Sequence, residues 1–151
     1  MARVHVVIST DLPRSADDVF AALIDWPGHA DWVPLTRVRI ESGDGGVGTV
    51  FVATTGIGPA SLPDRMRVDA LDAQQRSVQV TKIGPILTGT VDITVQATTD
   101  QACTVTWIED ITVPVLPALM TRPVAAATKR GFESSLNRLA RHLAARQRVE
   151  S

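Results

Sequence analysis

The chain has 151 residues, of which 44% are hydrophobic and 21% charged, with a formal net charge of −1. That length suits one domain, residues 1–151, which buries roughly 70% of its unfolded surface and so holds a real core. The near-balanced charge carries no footprint for nucleic acid or an anionic membrane, and a single cysteine, Cys103, excludes an intrachain disulfide.

Val4, Val6 and Ile8 alternate along 4–9 and predict a first strand. Ser15-Ala16-Asp17-Asp18 then starts a helix, because the serine hydroxyl caps free amides and Asp18 faces the positive helix end. Val19, Phe20, Leu23 and Ile24 follow at helical spacing, so a short helix is expected over 16–25. Residues 27–32 predict a second, very short helical turn before Pro34 forces extension. Six strands follow at about 36–42, 47–55, 64–71, 76–83, 87–97 and 103–113. Beyond Pro117 the period changes: Phe132, Leu136, Leu139 and Leu143 fall about one turn apart. They predict a long helix over 118–147, with a kink or restart at Pro123.

Consecutive antiparallel strands put alternate turns at opposite ends of the sheet. The turns Glu41–Gly46, Asp72–Arg76 and Thr98–Gln101 are polar. The segment leading into the second strand, Trp32-Val33-Pro34-Leu35, the turns Thr55–Pro63 and Ile83–Leu87, and the exit Val113–Met120 are apolar and carry Gly and Pro. One end is therefore an ordinary solvated edge, and the other is where the mouth of an apolar site belongs. Gly56-Ile57-Gly58-Pro59 is the mouth segment expected to move.

Gly43-Asp44-Gly45-Gly46-Val47-Gly48 matches G-x-G-x-x-G, but strand residues follow it where a dinucleotide site needs a helix, so it reads as a hairpin turn. His5, His29 and His142 fall in separate elements, and Cys103 has no neighbouring ligand at useful spacing. No metal or cofactor is expected. Cys103, with no adjacent base, reads as a structural thiol.

A broad apolar sheet face with one long helix to cover it must curl around that helix, because a helix is only about 10–12 Å across. The chain has no Tyr and only three Phe and three Trp, so small inward residues are expected to leave a cavity.

The order strand, helix, short helix, six strands, long helix resembles the START-like, or Bet v 1-like, helix-grip superfamily. Within it, the chain is similar to the bacterial polyketide cyclase/dehydrase and lipid-transport proteins. The likeness is carried by Ser15-Ala16-Asp17-Asp18-Val19-Phe20, by Asp25-Trp26-Pro27-Gly28-His29-Ala30-Asp31-Trp32-Val33-Pro34, by Cys103-Thr104-Val105-Thr106-Trp107, and by the Pro-led terminal helix. It implies an α+β fold: a seven-stranded antiparallel sheet curled around the C-terminal helix, two short helices between strands 1 and 2, and an apolar cavity. It implies no single activity.

Glu109 is the sharpest single candidate. It shares parity with Val105, Trp107, Ile111 and Val113, so it points to the apolar side and is the candidate catalytic or ligand-orienting carboxyl. The alternatives are a bulge that flips its parity, or pairing with Arg65 or Arg67. Trp32 and His29 flank the mouth, while Met66, Val68, Leu87, Val91 and Trp107 are candidate wall residues; ordinary core is the competing account of each wall residue.

The leading expectation is a cytoplasmic protein, monomeric or homodimeric and not inserted in a membrane, that binds a small hydrophobic or aromatic ligand such as a lipid, polyketide or isoprenoid. A polyketide aromatase/cyclase-like enzyme using Glu109, Arg65, Arg67 and His29, and a protein-interaction or chaperone module using the apolar loops, are the alternatives.

Overall fold

The computed structural model describes residues 2–150. Among them, seven strands form one antiparallel sheet: β1 (Ala2–Leu12), β2 (Thr36–Ser42), β3 (Val50–Thr55), β4 (Leu62–Asp72), β5 (Ser77–Ile83), β6 (Thr88–Thr99) and β7 (Ala102–Val113). The sheet order is β1-β7-β6-β5-β4-β3-β2. The first two strands in the chain thus form opposite edges, and the segment between them must cross from one edge to the other. It does so as α1 (Ala16–Leu23) followed by a 3-10 turn, Pro27–Asp31. A second 3-10 turn, Ala118–Met120, leads into the long helix α2 (Thr121–Glu150).

Local chemistry explains these bounds. The Ser15 hydroxyl accepts from the Asp18 amide at 3.2 Å, which starts α1 as its sequence demands. α1 ends two residues earlier than the expected 16–25. The third strand starts at Val50 rather than 47 because Gly43, Gly45 and Gly48 hold positive φ and extend the turn. β1 runs longer than 4–9, paired with β7 from Ala2↔Val113 to Leu12↔Cys103. The restart of the terminal helix lies at Thr121, so Pro123 falls in the first turn, where a missing N–H breaks no helical bond.

Alternate residues build the core. Val4, Val6 and Ile8 of β1, Val91, Ile93 and Val95 of β6 and Val105 of β7 are all buried, as are Leu136 and Leu139 of α2. Phe132 and Leu143 pack more loosely against that core, one turn to either side. The helix thus lies over the inner face along the stripe its periodicity predicts.

The two ends of the sheet differ as their turns do. Leu35, Ile57, Leu62, Ile86, Val115 and Leu119 are exposed at the end that carries the start of β2, the β3–β4 and β5–β6 turns and the exit from β7. Val115 and Leu119 are 90% and 82% exposed. No helix among the described residues is long and apolar enough to cross a membrane.

Candidate functional site

Between the inner face of the sheet, α2 and the segment around the first 3-10 turn lies a cavity of about 140 Å³. All three tryptophans (Trp26, Trp32, Trp107) and two of the three phenylalanines (Phe51, Phe132) line it. The rings pack in two groups. Trp26 stacks on Phe51 at 4.6 Å, with His29 tilted between Trp26 and Trp32 at 5.5 and 4.8 Å. Across the cavity Trp107 meets Phe132 at 4.6 Å. The small inward residues foreseen from composition are present, but the bulk of these rings keeps the space near the size of one aromatic ring.

Three charged side chains stand on the same inner face. Asp64 shares its side of β4 with Met66 and Val68, Lys82 shares its side of β5 with Val78 and Val80, and Glu109 shares its side of β7 with Trp107 and Ile111. Lys82 Nζ donates to Asp64 Oδ2 and lies 3.3 Å from Glu109 Oε1. Glu109 Oε2 accepts from Trp107 Nε1 at 3.3 Å. Gly89 of β6 pairs with Lys82 of β5 and holds a φ of +143°. A Cβ there would lie 1.9 Å from the Asp110 carbonyl oxygen, so the position admits only glycine.

Lys82 and Glu109 are 7% and 2% exposed, deep enough that either charge alone would be costly. Burial pulls the Lys82 pKa down, but the Coulombic pull of Glu109 and Asp64 and their hydrogen bonds outweigh it, so the ammonium titrates above the ordinary lysine range. Lys82 is therefore a cation at neutral pH. His29 behaves in the opposite sense. Burial lowers its pKa against the raising influence of its bond to Leu23 and of Asp25, and its Nε2–H donates to the Leu23 carbonyl at 2.7 Å. Its imidazole is neutral at pH 7, with Nδ1 left as an acceptor.

Of the residues singled out by sequence, Trp32, His29, Met66, Val91, Trp107 and Glu109 stand on the cavity wall. Val68 is fully buried in the core beside Met66 and Leu87 is half-buried ahead of β6, and neither is on that wall. Glu109 faces inward without a bulge, since β7 keeps register with both neighbours around it. Its charged partner is Lys82 rather than Arg65 or Arg67. Those arginines have the outward parity of β4 and pair with Glu41 at 3.0 Å and Asp69 at 2.7 Å. Sequence reading passed over Asp64 and Lys82, although each alternates in step with buried neighbours.

Cys103 is buried at the start of β7, and its thiol titrates above the usual range because burial outweighs the opposing pull of Arg76. The loop Gly43–Gly48 is a turn between β2 and β3, and its Gly45 carbonyl accepts from Trp26 Nε1 at 2.8 Å, fixing one cavity ring. A larger surface groove of about 470 Å³ runs between α1 and the C-terminal part of α2. Its rim mixes acids and bases (Asp18, Asp25, Asp31, Arg14, Arg146), and its lining is more polar than apolar, the reverse of the inner cavity.

A family model described as polyketide cyclase / dehydrase and lipid transport matches residues 3–144. The chain belongs to this family. Solved structures share the family's helix-grip fold. A START superfamily protein from Mycobacterium smegmatis is similar with a TM-score of 0.80 at 13% identity, over 92% of this chain and 98% of that one. The Zhui aromatase/cyclase from Streptomyces sp. R1128 gives 0.76 at 18% identity, over 93% of each chain. Norcoclaurine synthase from Thalictrum flavum, in complex with dopamine and hydroxybenzaldehyde, gives 0.65 at 21% identity, over 93% of this chain and 87% of that one. No curated protein matches the chain in sequence.

Proposed function

We propose that this member of the polyketide cyclase/dehydrase and lipid transport family binds a small hydrophobic or aromatic ligand in the inner cavity. The observation that supports it is the wall: five aromatic rings around one buried charged cluster. Removing the ligand's apolar surface from water drives binding at about 25 cal/mol per Å², and the polar cluster fixes orientation. The apolar end of the sheet is the approach. Native mass spectrometry of protein isolated from its own host tests the reading. A co-purifying low-mass apolar molecule is expected, and it disappears when Val91→Phe fills the cavity. A wild-type protein that takes up no apolar molecule overturns it.

One observation favours catalysis as a second reading: Asp64, Lys82 and Glu109 converge on the same cavity. Lys82 is paired with both acids, and a carboxylate is suited to take a proton from the carbon beside a ligand carbonyl, which is what aldol closure requires. Turnover of a poly-β-ketone that Glu109→Gln and Lys82→Met abolish without loss of binding supports this reading. Unchanged turnover in both variants removes it.

A further inference from the structure

The charged cluster has more acceptors than donors to offer a guest. Lys82 directs its N–H groups to Asp64 Oδ2, to Glu109 Oε1 and toward the Met66 sulfur at 4.0 Å. Trp107 Nε1 serves Glu109, and Trp26 Nε1 serves the Gly45 carbonyl. At the mouth, Thr36 donates to the Pro34 carbonyl at 3.0 Å, so the 3.0 Å contact between Thr36 and Thr55 engages the Thr55 proton. Trp32 Nε1, a neutral group, is the remaining side-chain donor on the wall among the described residues.

The acceptor side does not close. Both oxygens of Glu109 and one of Asp64 have partners, whereas Asp64 Oδ1 is buried with none among the described residues. A buried carboxyl oxygen without a donor is costly, and here it belongs to a residue on the wall of a ring-sized cavity. The wall also holds two carboxyl groups against one ammonium, and that ammonium is already engaged.

Building on the reading that the cavity binds an apolar ligand, we propose that its ligand class is a single-ring aromatic molecule bearing an O–H or N–H donor for the Asp64 carboxyl group, which turns to present Oδ1, and that carboxylate ligands are rejected. The ring faces the tryptophans and phenylalanines, and the donor completes the Asp64–Lys82–Glu109 network. A carboxylate in the same place finds no free cation and two acidic neighbours.

Calorimetric titration of the full chain with four probes decides the matter: toluene and phenol, matched in size, and nitrobenzene and benzoate, matched in shape. Water holds phenol more strongly than toluene, so tighter binding of phenol requires an acceptor inside. Phenol is expected to bind about tenfold more tightly than toluene, and benzoate at least about tenfold more weakly than nitrobenzene. Asp64→Leu leaves Lys82 paired with Glu109, and it is expected to erase the phenol preference, phenol then binding no more tightly than toluene. Toluene binding without a phenol preference in the wild type, or benzoate binding equal to nitrobenzene, overturns this inference and leaves the cavity reading intact. A phenol preference that survives in folded Asp64→Leu also overturns it. Should none of the four probes bind, both proposals fall. The wild-type series is decisive even if the variant fails to fold.

Discussion

At the scale of single residues, Lys82 carries the most energetic weight. It neutralises two carboxyl groups from a position that is itself only 7% exposed, so its removal leaves both acids without a cation. Lys82→Ala is expected to lower unfolding free energy by about 3–5 kcal/mol in urea titrations. Lys82→Ala combined with Glu109→Gln and Asp64→Asn is expected to cost less than Lys82→Ala alone, because no uncompensated acid remains. His29 gives a pH signature. Its folded pKa is below the unfolded value, so the unfolded chain binds the extra proton first. The stability it contributes is present above about pH 6.5 and is lost as the pH falls toward the depressed value. The urea midpoint of the wild type should therefore drop from pH 7.5 to pH 5.5 more than that of His29→Asn, and equal drops would rule this out. Glu109 was legible in the sequence because Val105, Trp107 and Ile111 flank it at the same parity. Asp64 and Lys82 stand near strand ends beside apolar turns, where a charge read on its own strand passes for a solvated one. Only cross-strand pairing, Lys82 with Met66 and Gly89, brings the three together.

At the scale of elements, every strand and both helices follow from alternation, capping and the change of period after Pro117. The differences lie at the ends, where pairing rather than propensity decides: β1 and β4 extend as far as their partners do. Gly89 shows what periodicity conceals. In sequence it is one inward step of β6 without a side chain, whereas in the fold its φ of +143° and the nearby Asp110 carbonyl make it obligatory. Gly89→Ala must move the β6–β7 ladder and strain a positive-φ backbone, which costs on the order of 1–3 kcal/mol or more. Loss of that stability should appear together with a displaced Lys82. A variant as stable as the wild type would contradict the assigned conformation.

For the molecule as a whole, composition pointed to a hollow interior, and one exists, but it is smaller than an inventory of small residues suggests. The few large rings are concentrated around it. The segment linking the two sheet edges supplies Trp26, His29 and Trp32, and α2 supplies Phe132. Periodicity assigns a residue to a face, yet it does not say which rings from distant elements meet. Phe132 is half-buried against Trp107, so Phe132→Ala should widen the cavity for about 1–3 kcal/mol of stability, below the full cost of truncating a core phenylalanine. The variant is expected to take up a naphthalene-sized probe that the wild type excludes, as measured by calorimetry. Equal uptake by both proteins would show that Phe132 does not limit the space.

The placement of the indoles has an optical consequence. With no tyrosine in the chain and every tryptophan on the cavity wall, near-ultraviolet emission originates from the chamber and nowhere else. Any guest that enters touches the fluorophores directly, so the protein signals its own occupancy without a label.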